Sequence, residues 1–320
     1  MARIGGNIKI AKDYLEQGKL VGIPTETVYG LAGNALNRES VMSIFEVKNR
    51  PSFDPLIVHT DSIEKLGRFV AHIPPAAMLL AEHFWPGPLT LLLPKTPLIP
   101  DLVTSGLDQI AVRIPDHSLT LELLSQLAFP LAAPSANPFG YISPTNASHV
   151  QQQLGDKIPY ILDGGECGIG IESTIIGFVD NVPVVYRLGG LALEDIEEVI
   201  GKVTTMPHSS SNPKAPGMLK SHYAPGKPFS LVDREDIVAN DDGSKLYLMY
   251  DQFLQDVDIT SQRLLSPSGD IKEAAHNLFA YLRELDGLPG TEIVAEKVPD
   301  KGLGRAINDR LRRAAAIEEA

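Results

Sequence analysis

Short apolar runs recur along the chain up to about residue 190, and most are bounded by Gly, Pro, Asn or Asp. Many of their residues are β-branched, and short runs of this kind between turn residues are typical of strands. The sequence therefore predicts strands at KLVGIP, PLIVH, LTLLLP, QIAVRIP, FPLAAP, YILDGG, STIIGFV and PVVYRLG.

Amphipathic stretches lie between these runs. ESVMSIFEVK, AAMLLAEHF, SLTLELLSQL and LALEDIEEVI carry apolar residues at helical spacing. Strands that alternate with short helices are typical of α/β domains. We therefore expect residues 1–202 to form an α/β domain built on a twisted mixed sheet with flanking helices.

Residues 203–228 have no sustained period and are rich in Ser, Pro and Gly, which predicts a linker. The segment also contains Met218, Lys220, His222 and Tyr223, a cluster that a passive spacer does not need. Our hypothesis is that it forms a lid over a ligand cleft. The alternative is a plain tether whose aromatic residue packs on the domain that follows.

Beyond the linker the alternation of strands and helices resumes. FSLVD, KLYLMY and TEIVAEKV predict strands, GDIKEAAHNLFAYLREL predicts a helix, and AINDRLRRAAAIEEA predicts a terminal helix. Residues 229–320 are thus predicted to form a small Rossmann-like α/β domain.

Composition narrows the range of functions. The chain has 320 residues, 28 Lys and Arg against 40 Asp and Glu, and a net charge of −12, which argues against nucleic acid as the main ligand. Its single cysteine, Cys167, excludes an internal disulfide framework and fits a reducing compartment. The sequence has no apolar signal-peptide core near its start and no run long enough to span a membrane, so we expect a cytoplasmic protein.

Two cations, Lys48 and Arg50, stand two apart in FEVKNRPSFDPLIVH. The helix must end before Pro51, because the residue that precedes a proline is disfavoured in helical geometry. If Arg50 is extended, both cations face the same way from a surface loop and can converge on one anion. The alternative is a solvated helix end, where Lys and Arg are common.

A second polar stretch, LAAPSANPFGYISPT, follows a predicted strand of small residues. Ser135 and Asn137 are again two apart, and Ser143 follows shortly after. A loop at a strand end is a usual place for a ligand cleft, although the same residue types also make ordinary polar turns.

Other candidates are weak when taken singly. His59 and Arg187 end predicted strands, Glu172, Ser173 and Thr174 open one, and Arg113 lies inside one. Arg113 suits bidentate recognition of a carboxylate, but it also suits a solvated strand face. No P-loop, GxGxxG strand–helix turn or GxSxG elbow occurs in the sequence, so any ATP site must use another set of loops.

Taken together, these stretches resemble one family. PTETVYGLAGNA, KNRP, DPLIVH, WPGPLTLLL, AVRIP, PSANPFGYISPT, ESTI and VYRLG follow in the order of the YrdC-like domain of threonylcarbamoyl-AMP synthases. APGMLKSHYAP and the α/β tail resemble the longer, two-domain form. The resemblance covers nearly the whole chain.

The resemblance implies that L-threonine, bicarbonate and ATP, with Mg²⁺, give threonylcarbamoyl-AMP and pyrophosphate. A separate transferase complex then modifies tRNA at the adenosine next to the anticodon. The implied catalytic residues are Lys48 and Arg50. The implied ATP-binding residues are Lys48, Arg50, Asp54, Ser135, Asn137, Ser143, Arg187, His222 and Tyr223, and the implied threonine-binding residues are Thr27, His59, Arg113, Ala133 and Ser173.

One position departs from the common family pattern, which often has Asn where this chain has Asp54. A carboxylate there repels polyphosphate unless Mg²⁺ intervenes or Asp54 pairs with Arg50. Two other readings stay open at this point. One is a module that binds double-stranded RNA, and the other is a carbamoyl-adenylate enzyme of hydrogenase maturation, although the single cysteine argues against the zinc-finger segments of the latter.

Overall fold

The computed structural model describes residues 1–206, 215–218, 222–239 and 242–316. Within these residues, eleven strands form one sheet in the order β1-β8-β2-β3-β7-β4-β6-β5-β9-β10-β11. The strands are β1 (Arg3–Gly5), β2 (Val21–Ile23), β3 (Gly30–Asn34), β4 (Ile57–His59), β5 (Leu89–Pro94), β6 (Gln109–Arg113), β7 (Leu131–Ala132), β8 (Tyr160–Leu162), β9 (Thr174–Val179), β10 (Val182–Arg187) and β11 (Thr204–Thr205).

Helices flank this sheet. They are α1 (Ile8–Glu16), α2 (Arg38–Lys48), α3 (Pro75–Phe84), α4 (Asp101–Thr104), α5 (Ser118–Ser125), α6 (Ala147–Leu154) and α7 (Leu193–Ile200). The sheet contains both parallel and antiparallel pairs; for example, β4 runs parallel to β6 and antiparallel to β7. The expected twisted mixed sheet with flanking helices is thereby confirmed.

Local sequence explains how α2 is delimited. The Asn37 side chain accepts a hydrogen bond from the Ser40 amide at 3.0 Å, which caps the first turn. At the other end Asn49 takes a left-handed conformation, with φ of 53°, and this ends the helix directly after Lys48. The position of Lys48 therefore depends on this cap.

The second domain is a parallel α/β unit. Its four strands, among the described residues, lie in the order β12-β15-β13-β14. They are β12 (Phe229–Val232), β13 (Lys245–Met249), β14 (Gln262–Leu264) and β15 (Glu292–Glu296), and they pack with α8 (Ile271–Gly287) and α9 (Gly304–Ala314). All of their pairings are parallel, as a Rossmann-like unit requires.

The two domains share a hydrophobic core. Val28, Ile142 and Ile171 of the first domain belong to the same buried cluster as Leu278 and Phe279 of α8. The approach is close at Gly170, whose φ is +81°, because an added Cβ atom would lie 2.4 Å from the carbonyl oxygen of His276. Burial of this apolar surface holds the second domain against the first.

The predicted strands and helices are all present, with shifted ends. The pattern gave no indication of β1, β3, β11, β14, α1, α4 or α6. The predicted terminal helix ends at Ala314, and residues 317–320 lie outside the described part of the chain. Residues 207–214 and 219–221 of the predicted linker, with Lys220 among them, also lie outside it. None of the described helices is both long and apolar enough to cross a membrane.

Candidate functional site

A cleft opens where several strands of the large sheet end, and segments of the predicted lid border it. Most of the predicted site residues line it: Thr27, Arg50, His59, Arg113, Ala133, Ser135, Ser173, Arg187, His222 and Tyr223. The fold therefore gathers side chains that are as much as 196 positions apart, the separation between the first and last of this set. The other four, Lys48, Asp54, Asn137 and Ser143, do not line the cleft and are buried behind it. Lys48, Asp54 and Ser143 contact residues that line it.

Arg113 and His59 lie side by side, because β4 and β6 pair in parallel with these two residues in register. Arg113 Nη1 donates to Thr27 Oγ1 at 2.8 Å, Nε donates to the Gly87 carbonyl at 3.1 Å, and Nη2 lies 2.5 Å from Glu26 Oε1. Arg113 is 4% exposed, so the alternative of a solvated strand face is wrong. The guanidinium is fixed in place at one end of the cleft.

His59 is neutral near pH 7. Burial, assisted by the positive charge of Arg113, lowers the pKa of His59 from 6.5 to about 3. The imidazole therefore brings hydrogen-bonding capacity to the cleft without adding charge.

Arg187 and Ser173 form a second fixed pair at the cleft wall. Arg187 Nη2 donates to Ser173 Oγ at 3.1 Å and to the Ser173 carbonyl at 2.9 Å. The Ser173 hydroxyl also shares a 2.7 Å hydrogen bond with Thr90. The serine is thus oriented from two sides.

Lys48 is 1% exposed, which contradicts the expected surface loop. Its Nζ donates to the Ser135 carbonyl at 2.6 Å and the Asn137 carbonyl at 2.5 Å, so it fastens the polar loop that borders the cleft. The argument from two-residue spacing is also wrong, because Lys48 ends a helix and Asn49 is left-handed rather than extended. Burial, with Arg50 adding to it, holds the pKa of Lys48 well below its usual value.

Arg50 pairs with Asp54, one of the two possibilities left open by the sequence. Arg50 Nη2 lies 2.9 Å from Asp54 Oδ2, and the same guanidinium donates to the carbonyls of Asp54 and Pro55 at 3.0 and 2.8 Å. Asp54 Oδ1 accepts from the Gly217 amide at 3.4 Å. Asp54 therefore connects Arg50 to the predicted lid.

The polar loop is held by internal hydrogen bonds. Asn137 Nδ2 donates to the carbonyls of Pro138 and Tyr141, both at 2.8 Å. Ser143 Oγ donates to Glu172 Oε1 at 2.7 Å. Ser143 thus reaches the cleft through Glu172, which lines it.

His222 and Tyr223 of the predicted lid lie at the cleft and are both buried. The His222 ring meets Phe139 and Tyr223 edge to face, at centroid distances of 5.8 and 4.1 Å. Burial and the surrounding cations hold the pKa of His222 well below 6.5. Tyr223 stacks on Phe279 of the second domain at 5.4 Å.

Sequence reasoning missed Glu26 and Arg310 at this site, and it gave Glu172 only as a weak candidate at the start of a strand. Glu26 pairs with Arg113, and Glu172 pairs with Arg310 of the second domain at 3.2 Å. Glu26 and Glu172 each adjoin a predicted site residue, and that adjacency was the available signal. Arg310 lies 138 residues from its partner in a strongly charged helix, so the sequence holds no signal for it.

Two family models match the chain. The Sua5, YciO and YrdC family, described as "Telomere recombination", matches residues 13–189. The family described as "Threonylcarbamoyl-AMP synthase, C-terminal domain" matches residues 191–316.

Relatives are similar over nearly the full chain. The threonylcarbamoyl-AMP synthase of Pyrococcus abyssi is 43% identical over 326 residues, covering 96% of this chain and 93% of the relative. The threonylcarbamoyl-AMP synthase of Bacillus subtilis is 39% identical over 317 residues, covering 94% of this chain and 90% of the relative.

Solved structures agree with these relatives. The crystal structure of P. abyssi Sua5 complexed with L-threonine matches with a TM-score of 0.89 and 40% identity, covering 98% of this chain and 97% of that one. E. coli YciO matches 59% of this chain with a TM-score of 0.53 and 20% identity, which supports the fold of the first domain alone.

Proposed function

Because the chain belongs to the two-domain threonylcarbamoyl-AMP synthases, we propose that it converts L-threonine, bicarbonate and ATP into threonylcarbamoyl-AMP and pyrophosphate. The observation that carries the proposal is a single cleft with a small polar end around Arg113 and a cationic side around Arg50 and Arg187. An enzyme of this kind is a nucleotidyltransferase.

The end of the cleft around Arg113 suits L-threonine. Its guanidinium can receive the amino acid carboxylate, with the charge of Glu26 beside it to attract the ammonium group. Thr27 and Ser173 offer hydroxyl groups, and Ala133 adds an apolar surface for the threonine methyl group. The relative crystallised with L-threonine supports this substrate.

The side of the cleft around Arg50 and Arg187 suits ATP. Lys48, Asn137 and Ser143 hold its walls, and Ser135 borders it. We propose that Arg50 exchanges part of its contact with Asp54 for the polyphosphate, whereas His222 and Tyr223 cover the nucleotide. The charges are buried, which strengthens their effect on phosphate.

The proposed chemistry has two steps. The threonine amine attacks the carbon of bicarbonate, and loss of water leaves a carbamate. A carbamate oxygen then attacks the α-phosphorus of ATP, and the bond to the β-phosphate oxygen breaks to release pyrophosphate. The protein needs no covalent intermediate, because it acts by holding the reactants together and stabilising charge on the phosphate.

Mg²⁺ is proposed to enter with ATP. Among the described residues no group of three or more His, Cys, Asp and Glu side chains could hold a metal ion. Glu172, which lines the cleft, and Asp54, which is buried behind it, are each paired with an arginine. This donor set fits a cation carried mainly by phosphate oxygens and water, as is usual for Mg²⁺.

The product is an activated acyl-adenylate that water destroys, so a covered cleft has a physical purpose. We propose that a separate transferase complex takes the product to tRNA in the cytoplasm. Direct RNA contact plays at most a weak part, given the net charge of −12.

Pyrophosphate release tests the function. We expect release to require L-threonine, bicarbonate and ATP together, and L-serine to react more slowly, by about 1–3 kcal/mol for the missing methyl group. Release at the full rate without threonine or without bicarbonate would overturn the assignment. Arg113→Gln should weaken threonine binding more than ATP binding. The control is Arg68→Gln, which replaces an exposed arginine of the same domain.

A further inference from the structure

Glu172 poses an electrostatic problem for a site that takes a triphosphate. It lines the cleft and is only 7% exposed, so little water screens its charge. Burial raises the pKa of Glu172, but Arg310, Arg187 and the hydrogen bond from Ser143 outweigh burial and leave the pKa below its usual value. The carboxylate is therefore ionised when nucleotide arrives.

The second domain supplies the charge that balances it. Arg310 of α9 is fully buried, and its Nε lies 3.2 Å from Glu172 Oε2. Arg310 Nη1 also donates to the Leu188 carbonyl at 2.5 Å and to Asp309 at 3.1 Å. Its guanidinium is thus fixed on both sides of the domain boundary.

Ser143 is held by both domains as well. Its hydroxyl donates to the other oxygen of Glu172 at 2.7 Å. Its carbonyl accepts from Arg283 Nε of α8 at 3.2 Å, and Arg283 Nη2 donates to the Ile142 carbonyl and to Gln153. Two arginines of the second domain therefore meet at the Ser143–Glu172 pair.

We infer that Arg310 is a positioning residue of the nucleotide site, which neutralises Glu172 and fixes it so that Ser143 is oriented and the triphosphate is not repelled. Arg283 supports the same loop from its backbone. The inference rests on the proposed function, since it concerns ATP. It assigns the second domain a part in nucleotide binding.

Simple docking of the domains is the competing explanation. Another ion pair of α9, Arg305 with Glu194 of α7 at 2.8 Å, also joins the domains, but it is exposed and away from the cleft. If α9 serves only to dock the second domain on the first, replacing Arg310 and replacing Arg305 should have the same effect on the binding of ATP. This makes Arg305→Gln a matched control on the same helix.

The experiment uses the full chain and four variants: R310Q, E172Q, the double variant R310Q/E172Q, and R305Q. Calorimetry measures the binding of a non-hydrolysable ATP analogue and of L-threonine separately, and thermal melting follows folding. We expect R310Q to weaken analogue binding roughly tenfold or more, because it leaves a buried charge unpaired, and to change threonine binding little. R305Q should bind both ligands like the wild type.

The double variant is decisive. Removing the carboxylate charge from R310Q should restore most of the lost affinity for the analogue, since a neutral pair repels no phosphate. Unchanged analogue binding in R310Q would overturn the inference. Equal loss of both ligands without recovery in R310Q/E172Q would overturn it in favour of docking. If R310Q does not fold, R310K, which keeps the positive charge, takes its place. Analogue binding by R310Q/E172Q is then compared with analogue binding by R310K and by E172Q.

Binding is measured apart from turnover, so the two proposals fail separately. A wild-type protein that binds the analogue but releases no threonine-dependent pyrophosphate counts against the function. R310Q binding equal to the wild type counts against the positioning role.

Discussion

At the residue scale, the cleft is built from cations removed from water. Lys48, Arg50, Arg113 and Arg187 are each at most 9% exposed, and each donates hydrogen bonds to backbone carbonyls. Their desolvation costs stability, and it is offset only while these partners are present. A single substitution at such a site should therefore alter folding and binding together.

Lys48→Ala is expected to destabilise the fold as well as weaken ATP binding. It leaves the buried carbonyls of Ser135 and Asn137 without their donor, at about 1–3 kcal/mol for an unsatisfied group. Urea unfolding measures the change. Lys157→Ala is the control, because Lys157 donates to the Val47 carbonyl in an exposed position, and it should change stability by about 0.5 kcal/mol or less. Equal stability of both variants would contradict the prediction.

His59 should make stability depend on pH. The pKa of His59 is about 3 in the folded protein and 6.5 in the unfolded chain. Between these two pH values the unfolded state therefore binds more protons than the folded state. The stability that His59 contributes is complete above pH 6.5 and is lost as the pH falls towards 3. We expect a loss of about 1.4 kcal/mol per pH unit within this window.

The measurement compares the free energy of unfolding at pH 7.5 and pH 5 for the wild type and His59→Asn. The variant should show a smaller decrease, since asparagine does not titrate. Identical slopes would mean that His59 is not held neutral.

The sequence predicted these residues unevenly. The residues that line the cleft follow local motifs, so order along the chain was enough to indicate them. The burial of Lys48 was not predictable from spacing, because Lys48 is the last residue of α2 and the left-handed Asn49 ends the helix there, so Lys48 and Arg50 do not share an extended segment. The pairing of Glu172 with Arg310 arises only when two domains pack together.

At the element scale, the described part of the predicted lid is packed rather than free. Ala215 and Met218 are buried in a cluster with Ile57 and Tyr186 of the first domain. Gly217, with φ of +71°, lies so close to Arg187 that an added Cβ atom would be 3.0 Å from Nη1. These contacts join the segment to the first domain, as the lid hypothesis expects, whereas the stacking of Tyr223 on Phe279 is what the tether alternative expects. Closure over substrate is a prediction.

Met218→Ala should loosen this segment. Loss of a buried methionine side chain costs about 2–5 kcal/mol, and a short segment cannot absorb that loss. We expect kcat/KM to fall at least several-fold for both substrates, and the lost packing against the first domain should lower the melting temperature as well. Met206→Ala, in a half-buried residue at the edge of the same cluster, is the control. Full activity in the Met218 variant would argue for the tether.

The elements that the pattern missed have a physical explanation. Strand β3 has the sequence GLAGN, and its two glycines have low strand propensity, yet it is buried in the centre of the sheet. Helix α6, ASHVQQQL, has few apolar residues and depends on its Asn146 cap. In both cases tertiary packing and capping outweigh local propensity.

At the scale of the whole molecule, the two domains share one buried apolar cluster. Val28, Ile142 and Ile171 would face water if the second domain left. The presence of a second α/β domain was predictable from alternating patterns, but this shared cluster was not, because its members from the first domain lie in loops with no period of their own. The domains are therefore expected to unfold together.

Gly170→Ala tests how tightly they are joined. The added methyl group would meet the His276 carbonyl of α8, which cannot move without displacing the helix. Gly165→Ala is a matched control, since Gly165 has φ of +82° but no atom within 4 Å of the added position. Both substitutions carry backbone strain of about 1–2 kcal/mol. Gly170→Ala alone should lower the free energy of unfolding in urea by clearly more than this strain, and it alone should speed hydrogen exchange in α8.

The pairing of Glu172 with Arg310 has a consequence for synthesis of the protein. The two residues are 138 positions apart in the chain. A ribosome that adds roughly 5–20 residues per second needs on the order of ten seconds to reach the arginine after the glutamate. Throughout this interval the nascent first domain carries a charge in its cleft that α9 has not yet met. On the proposed function, competence to bind ATP would be postponed until translation has passed α9, and a ribosome stalled before it would hold an unfinished site.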